Sequence, residues 1–291
     1  MELKSATVQI SRLSFFMMMV LTITACGNAI KNAKIEFSQD LAATILEFDD
    51  PETIKKGVPA YLILISSMIK GDPDNPDLLE SGAQLYSAYA SSFTGSYESK
   101  RALANRAYQY AGRAMCVRNA GFCDVNSLSY FEYEKLLAGI DKKDAMHLFI
   151  FASSWAGVIE ANSSDWNAVA ELPKVKAGIA RVIELDETIS NGDAQLYMAV
   201  LESLLPATLG GKPELAKQHF ERAIEISGGT NLMAKVLYAE KYARLVFDRD
   251  LHDQLLQQVI DADTGPQDQI LINTLAKQKA AALLSGADDY F

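Results

Sequence analysis

The sequence has few of the residues from which catalytic and metal-binding sites are built. Its 291 residues include only three histidines, three cysteines and two tryptophans. His147, His219 and His252 fall on separate predicted helices, without the i, i+4 partner or nearby glutamate of a zinc site, so each is expected at the surface or its boundary. No G-x-S-x-G motif occurs, and Gly210-Gly211-Lys212 lacks the first glycine and the Ser or Thr of a phosphate-binding loop. We therefore expect no enzymatic activity, no metal and no cofactor.

An excess of basic residues is also missing. Lys and Arg together number 27 against 37 acidic residues, which gives a formal net charge of -10. A chain without a basic cluster offers nothing to neutralise phosphates, so nucleic acid is excluded as a partner. Anionic lipid headgroups would also repel such a chain unless it carried acyl chains.

Residues 1–25 have the pattern of a lipoprotein signal peptide. Lys4 and Arg12 accompany the apolar run Leu13 to Ile23, which is well short of the roughly 18 residues that span a bilayer. Ile23-Thr24-Ala25-Cys26-Gly27 then resembles the bacterial lipobox, in which the signal is removed and the cysteine carries lipid. We expect Cys26 to be acylated; the alternative is an ordinary secretion signal with a chance cysteine.

The predicted mature chain starts at Cys26, and residues 26–29 form a short tether before a helical domain that extends to residue 291. Without Glu2, Lys4 and Arg12, the 27 basic and 37 acidic residues fall to 25 and 36, so the formal charge becomes -11. No aspartate follows Cys26 directly, and the resemblance to Gram-negative lipoproteins then favours the outer membrane. The domain would face the periplasm.

The other two cysteines, Cys116 and Cys123, are separated by a turn-forming Asn-Ala-Gly segment. In an oxidising compartment such a pair can form a disulfide that holds the end of one helix to the segment leaving it. Two unpaired buried thiols are an alternative. A metal site is another, although it lacks the two further ligands that zinc requires.

A pair of predicted helices over Leu196 to Ile226 gives the clearest indication of the fold. The first helix has an apolar face through Leu205 and is expected to end at Pro206. The second has Ala216, Phe220 and Ala223 in the A-x3-[FY]-x2-A spacing of a tetratricopeptide-like hairpin, which recurs at Ala104, Tyr108 and Ala111. A single match would equally suit the inward face of any helix. Two matches favour repeated hairpins.

The remaining segments are predicted to be helical too, since none shows sustained apolar-polar alternation. The fold class is therefore all-α, with stacked helical hairpins in a tetratricopeptide-like superhelix. Asp49-Asp50-Pro51-Glu52 is typical of a helix start, and Gly57-Val58-Pro59 is expected to interrupt that helix. Tyr61 to Ile69 is apolar nearly all round, which predicts burial between other helices.

Stacked hairpins form a concave surface, which aromatic side chains could line. We expect Trp155, Trp166 and Tyr197 to be the binding residues, because the two tryptophans flank a capped break near Asn162 where helices must diverge. The alternative for each of them is a place in the repeat core.

Several short motifs in a fixed order resemble one transporter family. They are Val58-Pro59, Asp74-Asn75-Pro76, Trp155 with Asp165-Trp166, Leu172-Pro173, Gly210 to Ala223, Tyr238-Ala239 and Asp248-Arg249-Asp250. Over roughly residues 40–262 they look like the T-component (TatT) family of tripartite ATP-independent periplasmic (TRAP) transporters. The Cys116 and Cys123 pair departs from that resemblance.

The resemblance implies an all-helical periplasmic lipoprotein that associates with the transporter's substrate-binding protein around a channel suited to apolar ligands. A homotrimer is among the assemblies that it implies. The predicted function is therefore that of a non-catalytic T-component. The alternative is an outer-membrane scaffold for envelope assembly that binds no small molecule.

Overall fold

The computed structural model describes residue 33 and residues 35–204 and 211–291. Contacts divide the chain into two compact units, Met1–Leu41 and Ala42–Phe291. In the first unit, residue 33 and residues 35–41 are helical. The predicted signal peptide, the tether and Cys26 lie outside the described residues and stay predictions.

The second unit is built from α-helices. After helical residues 42–46, its helices are α1 (Pro51–Gly71), α2 (Pro76–Ser92), α3 (Tyr97–Arg118), α4 (Tyr130–Ala138), α5 (Ala145–Ala161), α6 (Trp166–Ala170), α7 (Leu172–Asp186), α8 (Asp193–Glu202), α9 (Pro213–Ile226), α10 (Leu232–Leu237), α11 (Arg249–Asp261), α12 (Ile270–Ser285) and α13 (Ala287–Tyr290). A π-helical turn, Tyr238–Ala243, continues α10. No strand occurs in the described residues, and the all-α prediction is confirmed. Over the same residues, none of the helices has the length and apolarity needed to cross a membrane.

Consecutive helices pack as antiparallel pairs. In the pair of α8 and α9, Ala216, Phe220 and Ala223 are all buried. The Phe220 ring stacks on that of Tyr238 with 5.1 Å between centroids, so the aromatic position of the motif joins this hairpin to the next helix. The predicted extent of α8 was too long, since the helix ends at Glu202. The expected stop at Pro206 falls in residues 205–210, outside the described part of the chain.

The expected interruption of α1 at Pro59 was wrong, because α1 is one helix of 21 residues with Pro59 inside it. Asp50 caps its start as predicted, since the Asp50 side chain accepts a hydrogen bond from the Glu52 N–H. The expected all-round burial of Tyr61 to Ile69 was also wrong. Leu62, Ile65 and Ile69 are buried, whereas Ile63 and Leu64 are exposed on the opposite side.

The last long helix of the unit packs against its first. Leu271 of α12 belongs to a core cluster with Ile54, Val58 and Leu62 of α1. Gln267, just before α12, also donates a hydrogen bond to the Glu47 carboxylate over 2.8 Å. Because α1 packs against α2 as well, three helices from opposite ends of the unit meet at one place.

Candidate functional site

Trp155 lies in the core. Its side chain is 3% exposed on α5, and its ring stacks on Tyr108 at 5.5 Å between centroids. Phe151 and Tyr133 approach the same indole at 5.6 Å and 6.0 Å. This aromatic cluster joins α3, α4 and α5, which favours the core interpretation of Trp155.

Trp166 and Tyr197 have different surroundings from Trp155 and from each other. Trp166 is the first residue of α6, after the Asp165 cap, and its side chain is 85% exposed. Tyr197 on α8 is partly buried and meets Phe149 edge to face at 5.6 Å. Desolvation raises the pKa of the Tyr197 hydroxyl above its ordinary value, with Asp193 adding to the effect. Among the ring contacts of the described residues, none joins two of the three predicted binding residues.

A disulfide joins Cys116 and Cys123, with 4.4 Å between their Cα atoms. It closes the turn after α3, where the Asn119 side chain accepts a hydrogen bond from the Gly121 N–H. Phe122 in this turn is buried and packs edge to face on Phe151 of the aromatic cluster. The turn therefore anchors a core aromatic ring.

The three histidines are less isolated than the sequence indicated. His147 Nδ1 lies 3.0 Å from the Glu80 carboxylate, which also accepts a hydrogen bond from Arg118 Nε over 2.8 Å. His219 Nδ1 pairs with Gln195, and burial lowers the pKa of His219. His252 is fully buried beside the Phe291 ring, so its expected place at the surface or boundary was wrong. The partners of His147 and His219 lie on other helices, so the spacing of residues in the sequence did not reveal these two pairs. Within the described residues, no group of three or more His, Cys, Asp or Glu could hold a metal ion.

An apolar crevice lies where α1, α2 and α12 meet. Its volume is about 50 Å³. Its walls include Ile54 and Val58 from α1 and Leu271 and Leu275 from α12. Leu85 and Tyr89 of α2 also line it, together with Phe93, the residue that follows α2. Of the twelve lining residues only Tyr89 and Ser92 have a polar side-chain group, and the Tyr89 hydroxyl donates to the Lys55 carbonyl over 3.0 Å.

The crevice can accept an apolar group. A cavity needs about 10 to 15 Å³ of space for the centre of a water-sized probe to hold one water molecule, so the crevice has room for a short stretch of alkyl chain rather than for a whole ligand. Its apolar walls favour such a group through the hydrophobic effect. This site is not apparent from the sequence, because its walls come from segments more than 170 residues apart in the chain. The apolar stripes of α1, α2 and α12 signalled burial only.

Two comparisons with known proteins bear on this arrangement. The family model described as the TRAP transporter T-component (TAtT) matches residues 47–291. The matched range includes every helix from α1 to α13 and all the walls of the crevice except Ile45 and Leu46. No protein with curated annotation matches the chain significantly.

Proposed function

The chain belongs to the TRAP transporter T-component family, and we propose that it is a periplasmic accessory lipoprotein that associates with the substrate-binding protein of a TRAP transporter. In this role it has no catalytic activity. It contributes a helical surface to the complex and takes up an apolar part of the transported solute.

The apolar crevice is the observation that carries the ligand part of this proposal. Its walls are almost entirely apolar, and it lies where two ends of the unit come together, so that a small separation of α12 from α1 and α2 would enlarge it. Enlargement is necessary, because the present volume of about 50 Å³ holds only part of an alkyl chain. A hydrophobic or amphipathic organic acid has the chemistry that suits such walls.

A second candidate function is a scaffold for envelope assembly that binds no small molecule. The small volume of the crevice and the burial of Trp155 favour it, because both are expected of helices that pack only to form a core. The two candidates differ in ligand binding and in the identity of the protein partner.

The partner is tested by capture. The tagged full chain is purified in mild detergent from cells that express a TRAP transporter, and the captured proteins are identified by mass spectrometry. Recovery of the substrate-binding protein is expected, and the mass of the complex tests the homotrimer implied by the family resemblance. Recovery of envelope-assembly proteins without any substrate-binding protein would favour the scaffold.

The ligand is tested by filling the crevice. Ala88 on α2 lines the crevice and its side chain is exposed, so Ala88→Trp should obstruct the crevice without disturbing the core. Ala138→Trp, at an exposed alanine of α4, is the matched control. A dansyl-labelled undecanoic acid should bind the wild type and the control, and should bind the Ala88→Trp variant at least about tenfold more weakly, the effect of roughly 1.4 kcal/mol of lost contact. Equal binding by all three proteins would exclude the crevice as the site.

A further inference from the structure

The outward face of α1 combines an exposed apolar centre with basic ends. Lys56, Ala60, Ile63, Ser67 and Lys70 follow one another at intervals of four, three, four and three residues, so they lie along one side of the helix. All five are exposed, and the Ile63 side chain is 73% exposed. Leu64, 40% exposed, lies beside this row and widens its apolar centre. We call these six residues the outer stripe of α1.

The charge of this helix is opposite to that of the whole chain. From Thr53 to Gly71 there are three lysines and no acidic residue, although the chain has a net charge of -10. Glu52 lies 3.8 Å from Lys55 Nζ and 3.9 Å from Lys56 Nζ, but such exposed pairs neutralise little. The salt bridges of the described residues do not include Lys70. The outer stripe is therefore a local basic and apolar surface on an acidic protein.

We propose that the outer stripe of α1 rests on an anionic phospholipid surface. Lys56 and Lys70 each lie seven residues from Ile63, which places them about 10 Å from it along the helix axis, on either side. In a helix that lies flat on a bilayer, Ile63 and Leu64 enter the boundary between headgroups and acyl chains. The two lysines then reach lipid phosphates while their aliphatic stems stay against the apolar layer.

A lipid surface suits the outer stripe better than a second copy of the chain does. In an antiparallel pair centred on Ile63, Lys56 of one copy would face Lys70 of the other, and like charges would repel. The apolar centre also consists of only two large side chains, whereas stable protein interfaces bury about 800 Å² on each partner. A layer of phosphates, in contrast, attracts both lysines at once.

The stripe is too small to hold the protein on a membrane alone. Stable anchoring of peripheral proteins takes two signals, and an acylated Cys26, 25 residues before the first residue of α1, is the predicted other one. Each lysine near an anionic surface should contribute roughly a fivefold increase in surface occupancy, which corresponds to about 1 kcal/mol. The stripe would then determine which side of the anchored protein faces the bilayer. The inference is independent of the proposed association with a transporter.

The test measures the depth of a tryptophan placed in the stripe. Full-length chain purified from membranes is reconstituted into vesicles of phosphatidylethanolamine and phosphatidylglycerol that have brominated acyl chains, which quench nearby indoles. Ile63→Trp is compared with Phe131→Trp, which replaces an aromatic side chain 75% exposed on α4, and the wild type gives the background of Trp155 and Trp166. The added tryptophan should be quenched in Ile63→Trp and not in Phe131→Trp.

Charge reversal gives the second arm. In the Ile63→Trp protein, Lys56→Glu with Lys70→Glu should lower the quenching of the added tryptophan. Because two attractive charges are lost, occupancy of the lipid surface by the stripe should fall roughly 25-fold or more. Lys135→Glu with Lys143→Glu makes the same change of charge at exposed positions elsewhere, and this control should leave the quenching unchanged. Equal quenching of Ile63→Trp and Phe131→Trp, or no response to the first pair of reversals, would overturn the proposal. The detergent-solubilised chain is also tested for self-association. If the chain self-associates and Ile63→Asp abolishes this, the lipid-surface proposal is overturned in favour of an interface between copies of the protein.

Discussion

The Tyr89 hydroxyl donates a hydrogen bond to the Lys55 carbonyl over 3.0 Å, from one helix to the next. Lys55 lies four residues before Pro59, so its carbonyl is the one that Pro59, which has no N–H, cannot satisfy within α1. Tyr89 on α2 replaces the missing donor. This bond explains how a proline in the interior of α1 is tolerated.

The first prediction is that Tyr89 and Pro59 are energetically coupled. Tyr89→Phe removes the donor and should lower the free energy of unfolding by about 1 kcal/mol, the usual net value of one hydrogen bond. In a Pro59→Ala background the alanine N–H can bond to the Lys55 carbonyl, so the same substitution should cost much less. Urea unfolding of the four proteins measures the coupling as a double-mutant cycle. Independent, additive effects of the two substitutions would contradict this explanation of α1.

The same bond shows where sequence analysis succeeded and where it could not. Helices and hairpins were predictable, because the caps and the A-x3-[FY]-x2-A spacing are local patterns, and Ala216, Phe220 and Ala223 are buried as that spacing requires. The break at Pro59 was a wrong prediction, because the compensating donor follows Lys55 by 34 residues. The apolar crevice was not predicted for a similar reason: Leu271 and Val58 share a core cluster only through the packing of the whole unit.

The second prediction separates the two tryptophans. Trp155→Ala should lower the free energy of unfolding by about 3 to 5 kcal/mol, because it empties a buried site between Tyr108 and Phe151. Trp166→Ala should change it by no more than about 0.5 kcal/mol, since that side chain is exposed. Thermal melting checks both. If Trp166→Ala leaves stability intact yet weakens capture of the substrate-binding protein, its predicted binding role gains support.

The third prediction concerns the disulfide. Cys116 and Cys123 close a short loop, and the chain-entropy model gives such a link a contribution of about 2 to 3 kcal/mol. Replacing both cysteines with serine should lower the free energy of unfolding by that amount. A reductant should lower the melting temperature of the wild type and leave the double variant unaffected. Thiol labelling of the denatured protein without reductant should leave both cysteines unmodified, and complete labelling would show that the disulfide does not form in the cell.

The fourth prediction concerns the anchor. Cys26→Ala should give an unlipidated protein, which a salt wash releases from membranes, because the remaining attachment through α1 would be electrostatic and screened by salt. Cys116→Ser, which leaves Cys26 in place, is the control and should stay with the membranes. Continued membrane fractionation of the washed Cys26→Ala protein would mean that another segment holds it there.

The last prediction is a pH dependence that arises at the start of α8. Burial raises the pKa of Asp193 from 3.8 to about 6, and a hydrogen bond from Asn231 Nδ2 over 3.2 Å lowers it only in part. Between these two values the folded protein binds more protons at Asp193 than the unfolded chain does, so the Asp193 contribution to stability falls as the pH rises. Above about pH 6 the folded protein bears the full cost of burying a charged Asp193 carboxylate. Below pH 3.8 that cost disappears, because the carboxyl group is protonated in both the folded and the unfolded protein.

Asp193→Asn should therefore stabilise the protein at neutral pH and have little effect in acid. The amide keeps an oxygen that can accept from Asn231. At about pH 7 the substitution should raise the free energy of unfolding by about 1 to 3 kcal/mol. The larger figure corresponds to the pKa shift alone, and the smaller one allows for the loss of a negative charge that is favourable at the start of a helix. Urea unfolding of both proteins from about pH 4 to about pH 7 measures this difference, which should grow with pH and level off above about pH 6.

Asp250→Asn, in the exposed first turn of α11, is a matched control that should show no such growth. A difference between Asp193→Asn and wild type that stays constant across this range would mean that the Asp193 carboxyl titrates normally and that its burial has no effect on stability.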